Sequence, residues 1–150
     1  MSTLFVDTSS LAKRYLTEVG SVWTRHMAHP SAGHVIVIAD VTVVEMFSLL
    51  ARRVREGSLP TTSATLLGNT LLVHVEKDYL ALPLDRRVLA QARTLVGKYP
   101  LRTLDALQLA CAQRAETVLT ERITVISSDQ NLLASARAEG LPTDDPLAHP

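Results

Sequence analysis

The stretch L-F-V-D-T-S-S-L-A-K-R-Y-L, residues 4–16, decides how the rest of the chain is read. Leu4, Phe5 and Val6 form a short apolar run that stops at Asp7, the pattern of a strand buried on both faces. From Ser9 to Leu16 the period changes, and Leu11, Ala12, Tyr15 and Leu16 share one side of a helix. A buried strand that runs straight into an amphipathic helix opens an α/β unit.

The alternation repeats downstream. Ser21 caps a helix through His29 that Pro30 stops, and Val35, Ile36, Val37 and Ile38 make the clearest strand. A strong helix starts at Asp40 or Thr42 and ends at Gly57, with Arg52, Arg53 and Arg55 in its last turn, where the helix dipole favours cations. Another helix runs from Pro60 to about Lys77, and residues 80–84 read as a strand. Asp85 caps a helix through Lys98, before Pro100. Thr103 caps the next one, whose apolar stripe is Leu104, Leu107, Ala110 and Cys111. Residues 123–126 are a strand, and a last helix runs from Asp129 or Gln130 to Glu139, closed by Gly140. This order predicts an α/β fold with a mostly parallel sheet and helices on both faces.

A chain of 150 residues reads as a single domain, 1–150, able to bury a core without a disulfide or a structural metal. With 47% apolar and 20% charged residues it is neither disordered nor fibrous. Cys111 stands alone, which excludes an internal disulfide and a cysteine zinc cluster. No apolar run nears the ~20 residues of a membrane helix, and the start M-S-T-L-F-V-D lacks the basic region of a signal peptide. These features predict a soluble cytoplasmic protein with no membrane association.

The formal charge is zero, but it is unevenly spread. Residues 51–102 carry nine basic and four acidic side chains, a net +5, and residues 103–150 carry three basic and seven acidic, a net −4. A basic middle beside an acidic end fits a polyanion-binding surface next to a cation site, and equally fits ordinary charged helix faces.

Four carboxylates occupy positions unusual for surface charges. Asp7 follows a buried strand, at the edge of a parallel sheet where ligands bind, and it also suits a helix N-cap. Glu45 lies among Val43, Val44, Met46 and Phe47 and shares a helix face with Val41, Leu49 and Arg52, so it is at least partly buried. It then needs an arginine partner or a metal. Asp105 sits in the first turn of its helix, where an acid offsets the dipole, yet Leu104, Ala106, Leu107 and Leu109 surround it. Asp129 ends a strand and begins a helix, as Asp7 does. Carboxylates gathered at one sheet edge repel unless a hard cation neutralises them. All-oxygen ligation favours Mg²⁺ or Mn²⁺ over zinc, and such ions serve phosphodiester chemistry.

The segments V-D-T-S-S-L-A-K-R-Y-L-T-E-V-G-S (6–21), E-M-F-S-L-L-A-R-R-V-R-E-G (45–57), L-R-T-L-D-A-L-Q-L-A-C-A (101–112) and S-S-D-Q-N-L-L-A-S-A-R-A-E-G-L (127–141) resemble, in order, the blocks of PIN-domain ribonucleases. They are most similar to the VapC-type toxins of VapBC toxin–antitoxin pairs. The resemblance implies a PIN-like three-layer α/β/α sandwich. It also implies a metal-dependent endoribonuclease that uses Mg²⁺ or Mn²⁺ and in-line attack of water. Asp7, Glu45, Asp105 and Asp129 would form the metal site, with Ser9 and Ser127 as hydroxylic neighbours. A homodimer, and a short antitoxin protein covering the active-site groove, would be the partners of the RNA-cleaving chain. Ser127 stands where threonine is commoner, and the tail T-D-D-P (143–146) is more acidic than usual.

Phosphate contacts supply most nucleic-acid affinity, so Lys13, Arg14, Arg86, Arg87 and Arg102 are candidate RNA contacts. Trp23 and Tyr99 are candidates either for base stacking or for the core and a dimer interface. The histidines share no metal-binding spacing and read as surface or fold residues. Val44, Phe47, Leu66, Leu67, Leu71 and Leu72 exceed what one core needs, and part of that surface is expected to form a two-fold dimer interface. A phosphatase with an aspartyl nucleophile is a competing reading, but it wants a second acid where Ser9 stands. A non-catalytic binding module is another, and it has no need of four repelling carboxylates.

Overall fold

The computed structural model describes all 150 residues. The elements alternate as β1 (Thr3–Val6), α1 (Thr8–Tyr15), α2 (Ser21–Met27), β2 (Val35–Ala39), α3 (Asp40–Arg55), α4 (Thr61–Lys77), β3 (Tyr79–Leu82), α5 (Arg86–Lys98), α6 (Thr103–Leu119), β4 (Ile123–Ile126), α7 (Gln130–Ala138) and β5 (Thr143–Asp144). Short 3-10 turns at Pro30–Ala32 and Pro146–Ala148 complete it. The strands form one sheet in the order β3-β2-β1-β4-β5, and every pairing is parallel.

Strand alternation sorts the core into two layers. Phe5, Val37, Ala39, Ile123 and Val125 point to one face, where α5, α6 and α7 cover them with Leu95, Leu109, Ala112 and Leu132. Leu4, Val6, Ile36, Ile38 and Ile126 point to the other, under α1 to α4, with Leu11, Met46 and Leu71. The result is a three-layer α/β/α sandwich. No helix is long and apolar enough to cross a membrane.

The chain leaves β1 toward β2 on one side and later returns to place β4 on the other. Ligand crevices in open parallel sheets form at such a reversal, outside the carboxyl ends of the strands. Val6 and Ile126 are register partners, and the Asp7 amide donates to the Ile126 carbonyl at 3.1 Å. Asp7 and the loop after β4 therefore start side by side.

Several expectations are corrected. β3 ends at Leu82 rather than at residue 84, because Pro83 has no N–H to continue a ladder. α6 is N-capped by Arg102 without a side-chain bond, and Thr103 is its first helical residue. α2 stops at Met27, and His29 instead accepts from the Ser31 amide to cap the 3-10 turn. Leu71 is fully buried against the sheet, so it offers nothing to a partner. β5 and the turn after it were not foreseen: a two-residue polar strand has no apolar run to announce it.

Candidate active site

Asp7, Glu45, Asp105 and Asp129 line one groove of about 630 Å³ at the carboxyl end of the sheet. Each arrives by a different element. Asp7 caps α1, with its Oδ1 accepting from the Ser10 amide at 2.9 Å. Asp129 caps α7, accepting from the Leu132 amide at 2.8 Å. The capping role and the groove-facing position are thus compatible: in each acid one oxygen satisfies the helix, while the other is held by Ser127 and Ser9 in Asp7 and accepts no protein hydrogen bond in Asp129. Asp105 lies in the first turn of α6, and Glu45 is half-buried on α3.

The hydroxyl neighbours do the orienting. Ser127, fully buried, donates to Asp7 Oδ2 at 2.6 Å and accepts from the Asp129 amide at 3.0 Å, which couples the two acids through one oxygen. Ser9 Oγ stands 2.9 Å from the same Asp7 oxygen. Burial pushes the Asp7 carboxyl above its usual range, opposed by the bonds from Ser127, Ser10 and Ser9.

Glu45 is held by groups that the sequence reading missed. Thr8 Oγ1 donates to Glu45 Oε1 at 2.8 Å, and Gln108 Nε2 reaches the same oxygen at 3.1 Å. Gln108, itself buried, also donates to Thr42 at 2.9 Å, while its Oε1 finds no partner. No arginine pairs with Glu45. A polar Gln108 in the middle of the apolar α6 stripe was the available signal, since a buried amide must be hydrogen-bonded somewhere.

Asp105 reports the electrostatics. Its carboxyl is pushed up to about 6, first by burial, then by the charges of Asp129 and Asp7, with Glu45 adding and Arg102 opposing. Asp105 therefore feels the charges of the other three acids, although no three acidic, histidine or cysteine side chains close on a common ligation point.

Of the candidate RNA contacts, Lys13 and Arg102 line this groove. Lys13 is buried and ion-paired with Glu18 at 2.9 Å, so only Arg102 of the pair is an exposed cation. Arg14 turns away: it donates to Tyr79 Oη at 2.5 Å and approaches His74, in a cluster with Tyr15. Arg86 borders a separate apolar groove between α5 and α6, and Arg87 borders another groove between the same two helices. The groove instead gains Arg52 and Arg53 from α3. Arg52 was already legible as sharing the Glu45 face. Trp23 stacks on His149 at 4.4 Å, and Tyr99 donates to Glu139, so neither faces the acids.

The fold and this arrangement place the chain in a class of parallel α/β proteins with an acidic groove at the strand ends. The sequence profile of the PIN domain matches residues 4–139, and the chain belongs to the PIN-domain family. It is 29% identical over 147 residues to Ribonuclease VapC47 of Mycobacterium tuberculosis, covering 97% of this chain and 98% of that one. Among solved structures it is similar to a toxin–antitoxin complex from Klebsiella pneumoniae, with TM-score 0.62, 17% identity, and 97% and 98% of the two chains covered. It is also similar to the sarcin-ricin loop cleaving toxin VapC20 of Mycobacterium tuberculosis, with TM-score 0.63, 15% identity, and 88% and 94% covered.

Proposed function

We propose that this chain, acting as one domain, is a metal-dependent endoribonuclease and the toxin of a toxin–antitoxin pair. The observation that carries the reading is the gathering of four carboxylates around one groove, where burial first, and then the charges of Asp129, Asp7 and Glu45, push Asp105 up to about 6. A chain spends stability on such repulsion when a cation is to relieve it. Membership in the PIN-domain family and the full-length likeness to a VapC ribonuclease support it.

The donor set fits Mg²⁺ or Mn²⁺. It is all oxygen, with neither histidine nor cysteine among the acids, and Mg²⁺ is commonly held by one or two carboxylates plus water and substrate phosphate. An open arrangement in which no three ligands yet converge suits that mode. Asp7, Glu45, Asp105 and Asp129 would hold the ion. When bound, it would neutralise transition-state charge and lower the pKa of a water.

The chain's own residues supply the positioning. Ser127 and Ser9 orient Asp7, and Thr8 and Gln108 orient Glu45, so both carboxylates aim without reorganisation. Arg52, Arg53 and Arg102 border the acids and would bind the RNA backbone on either side of the scissile phosphate. Arg14, Arg86 and Arg87 have no place in that path.

Val44, Phe47, Leu66 and Leu72 remain exposed on α3 and α4, more apolar surface than an isolated helix pair needs. A second copy and an antitoxin are the partners this reading expects. Light scattering at micromolar concentration should give a dimer mass, and a monomer mass would remove the second copy. The function itself is tested by incubating the protein with single-stranded RNA. Cleavage should require Mg²⁺ or Mn²⁺ and stop with EDTA, and cleavage that persists in EDTA overturns the proposal.

A further inference from the structure

The chain beyond α7 returns to the site instead of trailing from it. Leu141 is buried, β5 pairs with β4, and the Ser127 amide donates to the Asp144 carbonyl at 3.2 Å. The following turn is seated on the start of α2. A Cβ on Gly20, whose φ is +88°, would lie 2.8 Å from the Pro146 carbonyl oxygen, so only glycine admits this approach. His149 stacks on Trp23 with rings 5° from parallel and bonds Asp144 through Nε2 at 2.9 Å.

Between these two anchors stands Asp145. Its Oδ1 accepts from the Leu147 amide at 2.8 Å, an ordinary cap for the 3-10 turn. The same oxygen also accepts from Ser128 Oγ at 2.9 Å, and its Oδ2 accepts from Gln130 Nε2 at 3.1 Å. A cap alone needs only the first bond. The other two reach across to the β4–α7 loop and take hold of the residues directly before and after Asp129. Asp129 otherwise relies on its own Leu132 amide and on Ser127 for direction.

We propose that Asp145 is a positioning residue for the acidic groove: by gripping Ser128 and Gln130 it sets the direction of the Asp129 carboxylate. This rests on the reading of Asp129 as a cation ligand. Groups that orient metal ligands typically change metal affinity about 10–100-fold when removed. A strap anchored on α2 thereby becomes part of the site, although Asp145 itself does not line the groove.

The test is a set of thermal melts of the full chain titrated with Mg²⁺, read as the concentration giving half of the metal-induced stabilisation. Asp145→Ala should raise that concentration about 10–100-fold. A Ser128→Ala/Gln130→Ala double variant, which leaves the Leu147 cap intact, should do the same with little change in the melt in EDTA. Asp145→Asn keeps an acceptor for Ser128 and Leu147, and Gln130 can turn its amide to meet the new NH₂, so it should stay within about threefold of wild type. A wild-type midpoint in the double variant would reduce Asp145 to a cap, and an Asn variant as weak as Ala would mean that its charge acts through space; either overturns the inference. A wild-type protein whose melt ignores Mg²⁺ overturns the metal reading itself, and this inference with it.

Discussion

Helix α7 has a carboxylate at each end, and the two have opposite fates. Asp129 caps the N-terminus beside Asp7 and Asp105, in a groove where the acids outnumber the cations close to them. Glu139 sits at the C-terminus, where the helix dipole disfavours an anion. There Lys98 donates to it at 2.7 Å, Tyr99 at 2.5 Å and Gln113 at 2.9 Å, and Gln91 in turn holds Gln113 at 2.8 Å. The hydrogen bond from Lys98, then that from Tyr99, pulls the Glu139 carboxyl down to about 2, whereas Asp105 in the groove is pushed up to about 6. The chain can satisfy an acid completely where it needs to join α5, α6 and α7. In the groove it orients the acids with hydroxyls and an amide but leaves their charge for something else to balance.

The largest effect should come from the groove. Asp7→Asn keeps the volume and the hydrogen bond from Ser10 but removes a charge from the buried centre of the acid set. If metal binding supplies several kcal/mol of transition-state stabilisation, RNA cleavage should fall by roughly a thousandfold. The circular dichroism spectrum should be unchanged. Wild-type cleavage by this variant would remove Asp7 from the ligand set and erase the contrast with Glu139.

Glu139 should respond in the other currency. Glu139→Gln places an NH₂ among Lys98, Tyr99 and Gln113, which are all donors toward it. The expected loss is about 1–2 kcal/mol, reduced at the solvent edge, or roughly 2–8 °C in Tm. RNA cleavage should be untouched. The sign with pH follows from a lowered carboxyl: its contribution is full above the ordinary 4.5 and disappears as pH falls through about 2. Melts of wild type and variant should therefore differ at pH 7 and approach each other near pH 2. A constant difference across that range would show that the cluster works by packing alone.

The fold was legible because its core strands are short apolar runs, two of them cut off by Asp7 and Asp40, and because four helix ends carry Asp7, Gly57, Asp85 and Gly140. All four acids of the groove were legible for the same reason: three stand at strand ends or helix starts, and Glu45 interrupts an apolar helix. What escaped depends on contacts between residues distant in sequence. Thr8 and Gln108 meet Glu45 across 37 and 63 positions, and no local pattern marks them as partners. Arg14 looked like an RNA contact from its place after Asp7. In the fold, α1 turns it toward Tyr79, 65 residues away, while Arg52 and Arg53 enter the groove from α3. The strap after Leu141 escaped because polar residues that bind through hydrogen bonds have no periodicity to read.

The smallest effect, and the sharpest test of the contrast, concerns Asp105 without metal. Its folded carboxyl at about 6 lies above the ordinary 3.8. For a raised carboxylate the fold is penalised once pH exceeds the unfolded value, the penalty grows until pH passes the folded value, and it is constant above that. In EDTA, wild-type Tm should therefore fall as pH rises from about 4 to about 6 by an amount that Asp105→Asn abolishes. Because Asp105 is only half-buried, screening holds the gain at pH 7 below about 1 kcal/mol, a rise of roughly 1–3 °C. Saturating Mg²⁺ should reverse the order. A cation at ten times its Kd stabilises the wild type by roughly 1.4 kcal/mol, and the variant, one carboxylate short, gains less. Glu139→Gln run in parallel should lose stability in EDTA and respond to Mg²⁺ as the wild type does. If Asp105→Asn instead melts lower than wild type in EDTA and keeps the full Mg²⁺ response, the groove acids are settled structural groups like Glu139, and the distinction between the two ends of α7 fails.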